Sequence, residues 1–134
     1  YYNYLPEIER LGVAVDPVTA ESIMQIDNFL SRNTVDGDYV YFFPNEEIYY
    51  FIFNRRNPTR FANSYFAITT EQRLDATADL EKYKPKYIIW SPNTWRMDNI
   101  PENYQVPEIV TYIKKNYDML KVTKNLGFLS RKNG

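Results

Sequence analysis

Among its 134 residues the chain has no histidine, no cysteine and only four glycines. The first two absences exclude zinc sites built on His and Cys, thiol nucleophiles, Ser-His-Asp triads and disulfides. They leave carboxylates, Tyr and Lys as the groups able to move a proton. The scarcity of glycine bears on nucleotides: none of the four stands between a strand and a helix, so the dinucleotide and P-loop fingerprints are both missing and no cofactor is expected. No hydrophobic run approaches the roughly 20 residues that span a bilayer. The longest, over residues 48–53, is short and aromatic, so the visible chain reads as a soluble segment. The formal charge of −1 withholds the broad attraction on which nucleic-acid binders rely, and no nucleic-acid partner is expected.

What is present points to one folded domain over 1–134. A hydrophobic content of 44% with 17% aromatics is enough for a real core, and missing disulfides leave the compartment open. The chain opens on Tyr1 with no basic and apolar leader after it, which reads as a piece of a longer protein whose export signal would lie upstream. Three tyrosines before Pro6 suit a packed arm, or an aromatic segment near a membrane interface.

The rest alternates between helix and strand. Asp16-Pro17 reads as a cap and first turn of a helix running to about Leu30, with Ala20, Ile23, Met24, Ile26, Phe29 and Leu30 facing inward and Asp27 within the same arc. Such a carboxylate is either functional or paired at the rim of the buried face. After the turn Asp36-Gly37-Asp38, the run 39–43 is apolar on both faces, as for a covered strand. Asn45 then reads as the cap of a short helix with Glu46 and Glu47 in its first turn. Thr69 with Gln72 forms a capping-box pattern for a helix facing inward through Leu74, Thr77, Ala78 and Leu80. Tyr87-Ile88-Ile89-Trp90 is a second covered strand, parallel to the first because helices separate them. A loop over 91–106 leads to a helix from Pro107 bearing Ile109, Val110, Ile113 and Tyr117, and a hairpin follows near 119–123 and 128–131. The expected architecture is a small three-layer α/β domain, with a mostly parallel sheet, helices on both faces and an antiparallel C-terminal hairpin edge.

In such sheets ligands gather beyond the carboxyl ends of the strands, here around residues 44–47 and 91–95. The helix at Asn45 offers N–H groups to an anion, but Glu46 and Glu47 stand where a phosphate tolerates no negative charge. Arg55, Arg56 and Arg60, stiffened by Pro58, are of the type that forks onto phosphate or carboxylate; the alternative is that they cap the helix C-terminus and pair with Glu46, Glu47 or neighbouring carboxylates. Adjacent Glu46 and Glu47 point apart on a helix and make a poor acid–base pair. Trp90, Trp95 and the tyrosines could stack on sugar rings, or serve as the core of an aromatic-rich domain.

The run Phe43-Pro44-Asn45-Glu46 through Tyr50-Phe51, then Asn54-Arg55-Arg56-Asn57-Pro58-Thr59-Arg60-Phe61, Ala78-Asp79-Leu80-Glu81 and Lys84-Pro85-Lys86-Tyr87-Ile88-Ile89, resembles the soluble C-terminal region of multi-pass membrane glycosyltransferases of the C superfamily. These are the polyprenyl-phosphate-sugar-dependent enzymes of the protein mannosyltransferase and aminoarabinose transferase type. The similarity covers about residues 20–131. It implies an extracytoplasmic (periplasmic or cell-surface) domain of an integral membrane protein, partnered by the transmembrane part of the same polypeptide and by a polyprenyl-phosphate-sugar or glycan acceptor. In such enzymes the catalytic acid lies in a loop near the start of the membrane domain, so no catalytic residue, metal ligand or cofactor-binding residue is expected here. Asn45, Glu46, Arg55, Arg56 and Arg60 are the candidate ligand or interface contacts. The alternative is a free-standing α/β module that binds a phosphorylated or acidic small molecule through the 55–60 loop.

Overall fold

The computed structural model describes residues 17–44, 46–91 and 102–133. The expectations for Asp16, for the tyrosines before Pro6, for Asn45 and for Trp95 fall outside them.

The first helix, α1 (Pro17–Asn33), buries Ala20, Ile23, Ile26 and Leu30. Met24, expected on that face, is 51% exposed, because at about 100° per residue it is turned well away from the Ile23, Ile26 and Leu30 stripe. Asp27 sits at the partly exposed rim. Polar side chains satisfy the last carbonyls of α1: Thr34 Oγ1 donates to Leu30 O at 2.7 Å and Asn33 Nδ2 to Phe29 O at 2.7 Å. In the turn that follows, Asp38 Oδ2 accepts from Val35 N at 3.0 Å, and Gly37 takes φ 85°, open to a residue without Cβ.

Strand β1 (Tyr41–Phe43) is shorter than the expected 39–43, since Tyr39 pairs with Arg56 in an isolated parallel bridge. Helix α2 (Ile48–Ile52) also starts later than expected: Glu47 is its cap residue, without a capping side-chain bond, and no acidic residue lies in its first turn. A 3-10 turn (Ser64–Phe66) leads to α3 (Thr70–Tyr83). The capping box at its start is formed in full, with Thr69 Oγ1 accepting from Gln72 N at 3.1 Å and Gln72 Oε1 from Thr69 N at 3.0 Å. Its inward face is Ala76 and Leu80; Leu74 and Ala78, four residues apart, share the outer side. After β2 (Tyr87–Trp90), a one-turn helix α4 (Glu102–Gln105) interrupts the expected loop. Helix α5 (Pro107–Asn116) buries Ile109, Val110 and Ile113, and β3 (Tyr117–Val122) and β4 (Gly127–Arg131) form the hairpin.

The four strands make one mixed sheet in the order β1-β2-β4-β3. The expectation of a mostly parallel sheet is corrected here. Only β1 and β2 are parallel, with Phe42 opposite Ile89, while β4 slots between β2 and β3 and is antiparallel to both. A single crossover yields a single parallel pairing, and a hairpin docked through its second strand yields two antiparallel ones.

The buried side chains fall into two clusters. One joins Ala20, Ile23, Ile26 and Leu30 of α1 to Phe42, Ile89 and Phe128 and to Tyr49 and Ile52 of α2. The other joins Tyr41, Phe43, Ile88 and Leu129 to Ala76 and Leu80 of α3 and Ile109, Val110 and Ile113 of α5. Neighbouring strand residues thus alternate between clusters. Each fully buried aliphatic or aromatic side chain contributes about 1.5–3 kcal/mol.

Candidate functional site

The carboxyl ends of the two parallel strands meet as expected. Ser91 N donates to Phe43 O at 2.9 Å, and the Trp90 ring stands edge-on to Phe43 at 4.9 Å between centroids. The Phe43–Pro44 peptide is cis, and Pro44 O accepts from Ser64 N at 2.9 Å. Two tyrosines close the start of this region. Phe42 N donates to the Tyr50 hydroxyl at 3.0 Å, and the Tyr41 hydroxyl bonds Ser64 Oγ. Burial pushes both phenols well up from their ordinary range, so they are neutral hydrogen-bonding groups and not bases. Glu46 is partly buried between Pro44 and α2.

The three arginines that follow do not converge. Arg55 is buried and turned back toward the end of α1. Its Nε donates to Thr34 Oγ1 at 3.0 Å, its Nη1 to Asp36 Oδ1 at 2.9 Å and also to Phe53 O. Arg56 lies exposed over the Tyr39 ring, 4.2 Å from guanidinium carbon to centroid, with Nε donating to Gly37 O. Around Pro58, Asn57 Oδ1 accepts from Thr59 N at 2.9 Å while Asn57 Nδ2 donates to Phe61 O at 2.7 Å, a side-chain-built turn. That turn aims Arg60 at α3, where it meets Asp79 through two bonds of 3.1 Å and lies 3.7 Å from Asp75. The carboxylate partners are Asp36, Asp75 and Asp79, neighbouring carboxylates of the kind the structural alternative expects.

A second polar group, which the sequence did not point to, ties α3, α5 and β4 together. Tyr112 Oη donates to Glu81 Oε2 at 2.6 Å. Arg131 donates to the same carboxylate oxygen at 2.9 Å and to the Tyr112 hydroxyl at 3.0 Å, and Tyr117 Oη donates to Pro85 O. The Tyr112 and Arg131 bonds hold Glu81 below the usual carboxylate range, while burial and the bond to Glu81 push Tyr112 up to about 12. Residues 81, 112 and 131 are too far apart in sequence to read as a motif. The signal that could have found them is the hairpin register, which sets Tyr117 opposite Arg131. A third pair, Arg73 to Glu108, links α3 to the first turn of α5 beside a shallow groove lined by Leu74, Pro107 and Thr111.

Among the described residues no group of three or more carboxylates is placed to hold a metal ion, and no helix is long and apolar enough to cross a membrane. Compared with known proteins, the chain matches no family model, no curated protein and no solved structure. The geometry can do two things chemically. It can bind through fixed cations and hydroxyls, and it can brace the loops at the two ends of the sheet.

Proposed function

We propose that the chain is the extracytoplasmic C-terminal accessory domain of a membrane glycosyltransferase that transfers a sugar from a polyprenyl-phosphate carrier. In this reading it helps position donor or acceptor and supplies no catalytic group. The observation that carries the proposal is where the resembling residues sit. Phe43 and Pro44 end β1 and Tyr50 returns to Phe42; Asn57, Thr59 and Phe61 build the turn. Arg60 is fastened to Asp79, and Lys84 to Tyr87 carry the chain into β2. A pattern spent on bracing loops around a sheet suits a scaffold that presents a surface, and suits a catalytic centre poorly.

The layering belongs to the same proposal. The sheet is the middle of three layers, with α1 and α2 on one face and α3 and α5 on the other. This reading is supported by the alternation of Tyr41, Phe42 and Phe43, of Ile88 and Ile89, and of Phe128 and Leu129 between the two buried clusters.

The alternative, an anion-binding module working through the 55–60 loop, draws less support, because Arg55 and Arg60 already face Asp36 and Asp79. The test is to read the gene upstream of the Tyr1 codon and count segments of spanning length. Several such segments agree with the proposal, and none would overturn it. In the full-length parent, Arg56→Ala should lower sugar transfer while the domain stays folded.

A further inference from the structure

At the end of the sheet remote from Ser91, where β2 begins and β4 ends, an open depression of about 440 Å³ is lined by Lys84, Lys86, Arg131 and Lys132 together with Leu120 and Ser130. Four of the chain's 16 Lys and Arg residues therefore share one depression on a molecule whose net charge is −1. Two carboxylates lie beside them. Glu81 is engaged by Arg131 and lies 3.8 Å from Lys84, and Asp118 lies 3.8 Å from Lys132. They offset part of the positive charge and leave a local excess.

Arg131 is pre-organised by the Tyr112 and Tyr117 hydroxyls, at 3.0 and 3.4 Å, and by Glu81. Those contacts engage Nη1 and Nη2 of a group that carries five N–H donors. Lys84 occupies the left-handed region at the end of α3, φ 44°, ψ 59°, where glycine or asparagine is the cheaper residue.

An edge strand of the sheet borders this depression and contributes Leu120 to its wall, 55% exposed. Cations around a recess with an exposed leucine in its wall are the composition of a surface that lies in a lipid interface, where phosphates meet the basic groups and an apolar side chain reaches the acyl boundary.

We infer that this face seats the domain on an anionic lipid surface, with headgroup phosphates entering the basic depression and Leu120 entering the interface. Charge complementarity selects the occupant. In a nearly neutral molecule a local excess of this kind orients the domain as well as holding it. The inference rests on the reading of a membrane enzyme for its setting and deepens it by naming what the domain leans on.

The experiment is co-sedimentation of the chain with phosphatidylglycerol vesicles and with phosphatidylcholine vesicles. Binding to the first and not to the second, weakening as salt is added, is expected. Lys86→Gln with Lys132→Gln should lower partitioning at least about tenfold, and Asp118→Asn should raise it about fivefold, each with the melting temperature unchanged. Failure to bind phosphatidylglycerol, equal binding to both lipids, or partitioning unmoved by these variants would overturn the inference. A parallel titration with inorganic phosphate, followed by amide shifts at the lysines, separates the sources: shifts without vesicle binding leave a simple anion site and sink the lipid seat. Vesicle binding reports on this face alone and the upstream count reports on the parent, so the two failures are distinguishable.

Discussion

Arg60 holds Asp79 with both arms of its guanidinium, Nε to Oδ2 and Nη2 to Oδ1, each at 3.1 Å, and its own backbone N–H reaches the same carboxylate at 3.1 Å. The Arg60 side chain is 58% exposed, so solvent screens the pair and its worth lies mainly in fixing the loop against α3. Arg55 is the opposite case. It is buried, and removing it strips partners from Thr34 Oγ1 and the Phe53 carbonyl at once. Arg55→Ala should therefore cost about 2 kcal/mol by urea unfolding, whereas Arg60→Ala should shift the midpoint much less. The reverse ranking would show that the exposed clamp carries the fold.

The inward face of α3 makes a sharper test, because it is where periodicity misled. Leu80 is fully buried and Leu74 is 53% exposed, although both are leucines on one helix. Leu80→Ala should cost about 3 kcal/mol and Leu74→Ala less than about 0.5 kcal/mol. Comparable losses would place Leu74 in the core after all.

These two residues also show what the sequence could carry. The capping box, the two covered strands, their parallel relation and the final hairpin were all legible, since each rests on short-range chemistry or on a run of apolar residues. The face of α3 was not. With Leu74, Ala76, Ala78 and Leu80 distributed around the helix, only the position of α5 decides which side is covered. The late start of α2 and the insertion of β4 beside β2 likewise depend on partners distant in sequence. The arginines were legible as a cluster, but their partners were not, because Asp36 and Asp79 reach them only through the tertiary fold.

Acid and base should each remove a defined part of the stability. Glu81 and Glu108 have folded-state values depressed below the ordinary 4.5, the first by its bonds from Tyr112 and Arg131, the second by its bond from Arg73. A depressed carboxylate contributes stability that is present above pH 4.5 and lost as pH falls below it. Glu81→Gln with Glu108→Gln should flatten the fall of the melting temperature on the acid side. At the other end, Tyr112 is raised from 10 to about 12, so its contribution is present below pH 10 and lost as pH rises toward 12. Tyr112→Phe should flatten that limb. Melting curves of the three proteins across pH, including the parent chain, check both; unchanged slopes would mean that these groups titrate alike in folded and unfolded chains.

Lys84 sets conformation against charge at a single position. Its backbone N–H donates to Leu80 O at 2.8 Å and closes α3, a bond that any residue can make, while its φ of 44° suits glycine. A left-handed non-glycine residue costs roughly 1 kcal/mol, and the extra freedom of glycine in the unfolded chain returns part of that. The ion pair to Glu81, 3.8 Å long and more than half exposed on both sides, adds little. Lys84→Gly should therefore raise the melting temperature slightly while lowering partitioning onto phosphatidylglycerol vesicles, and Lys84→Gln should lower partitioning with no gain in stability. Movement of the two properties in opposite directions would show that a lysine is kept there for its charge and against the preference of the backbone. A fall in both would show instead that Lys84 secures the end of α3, and its strained conformation would then give no support to a surface role.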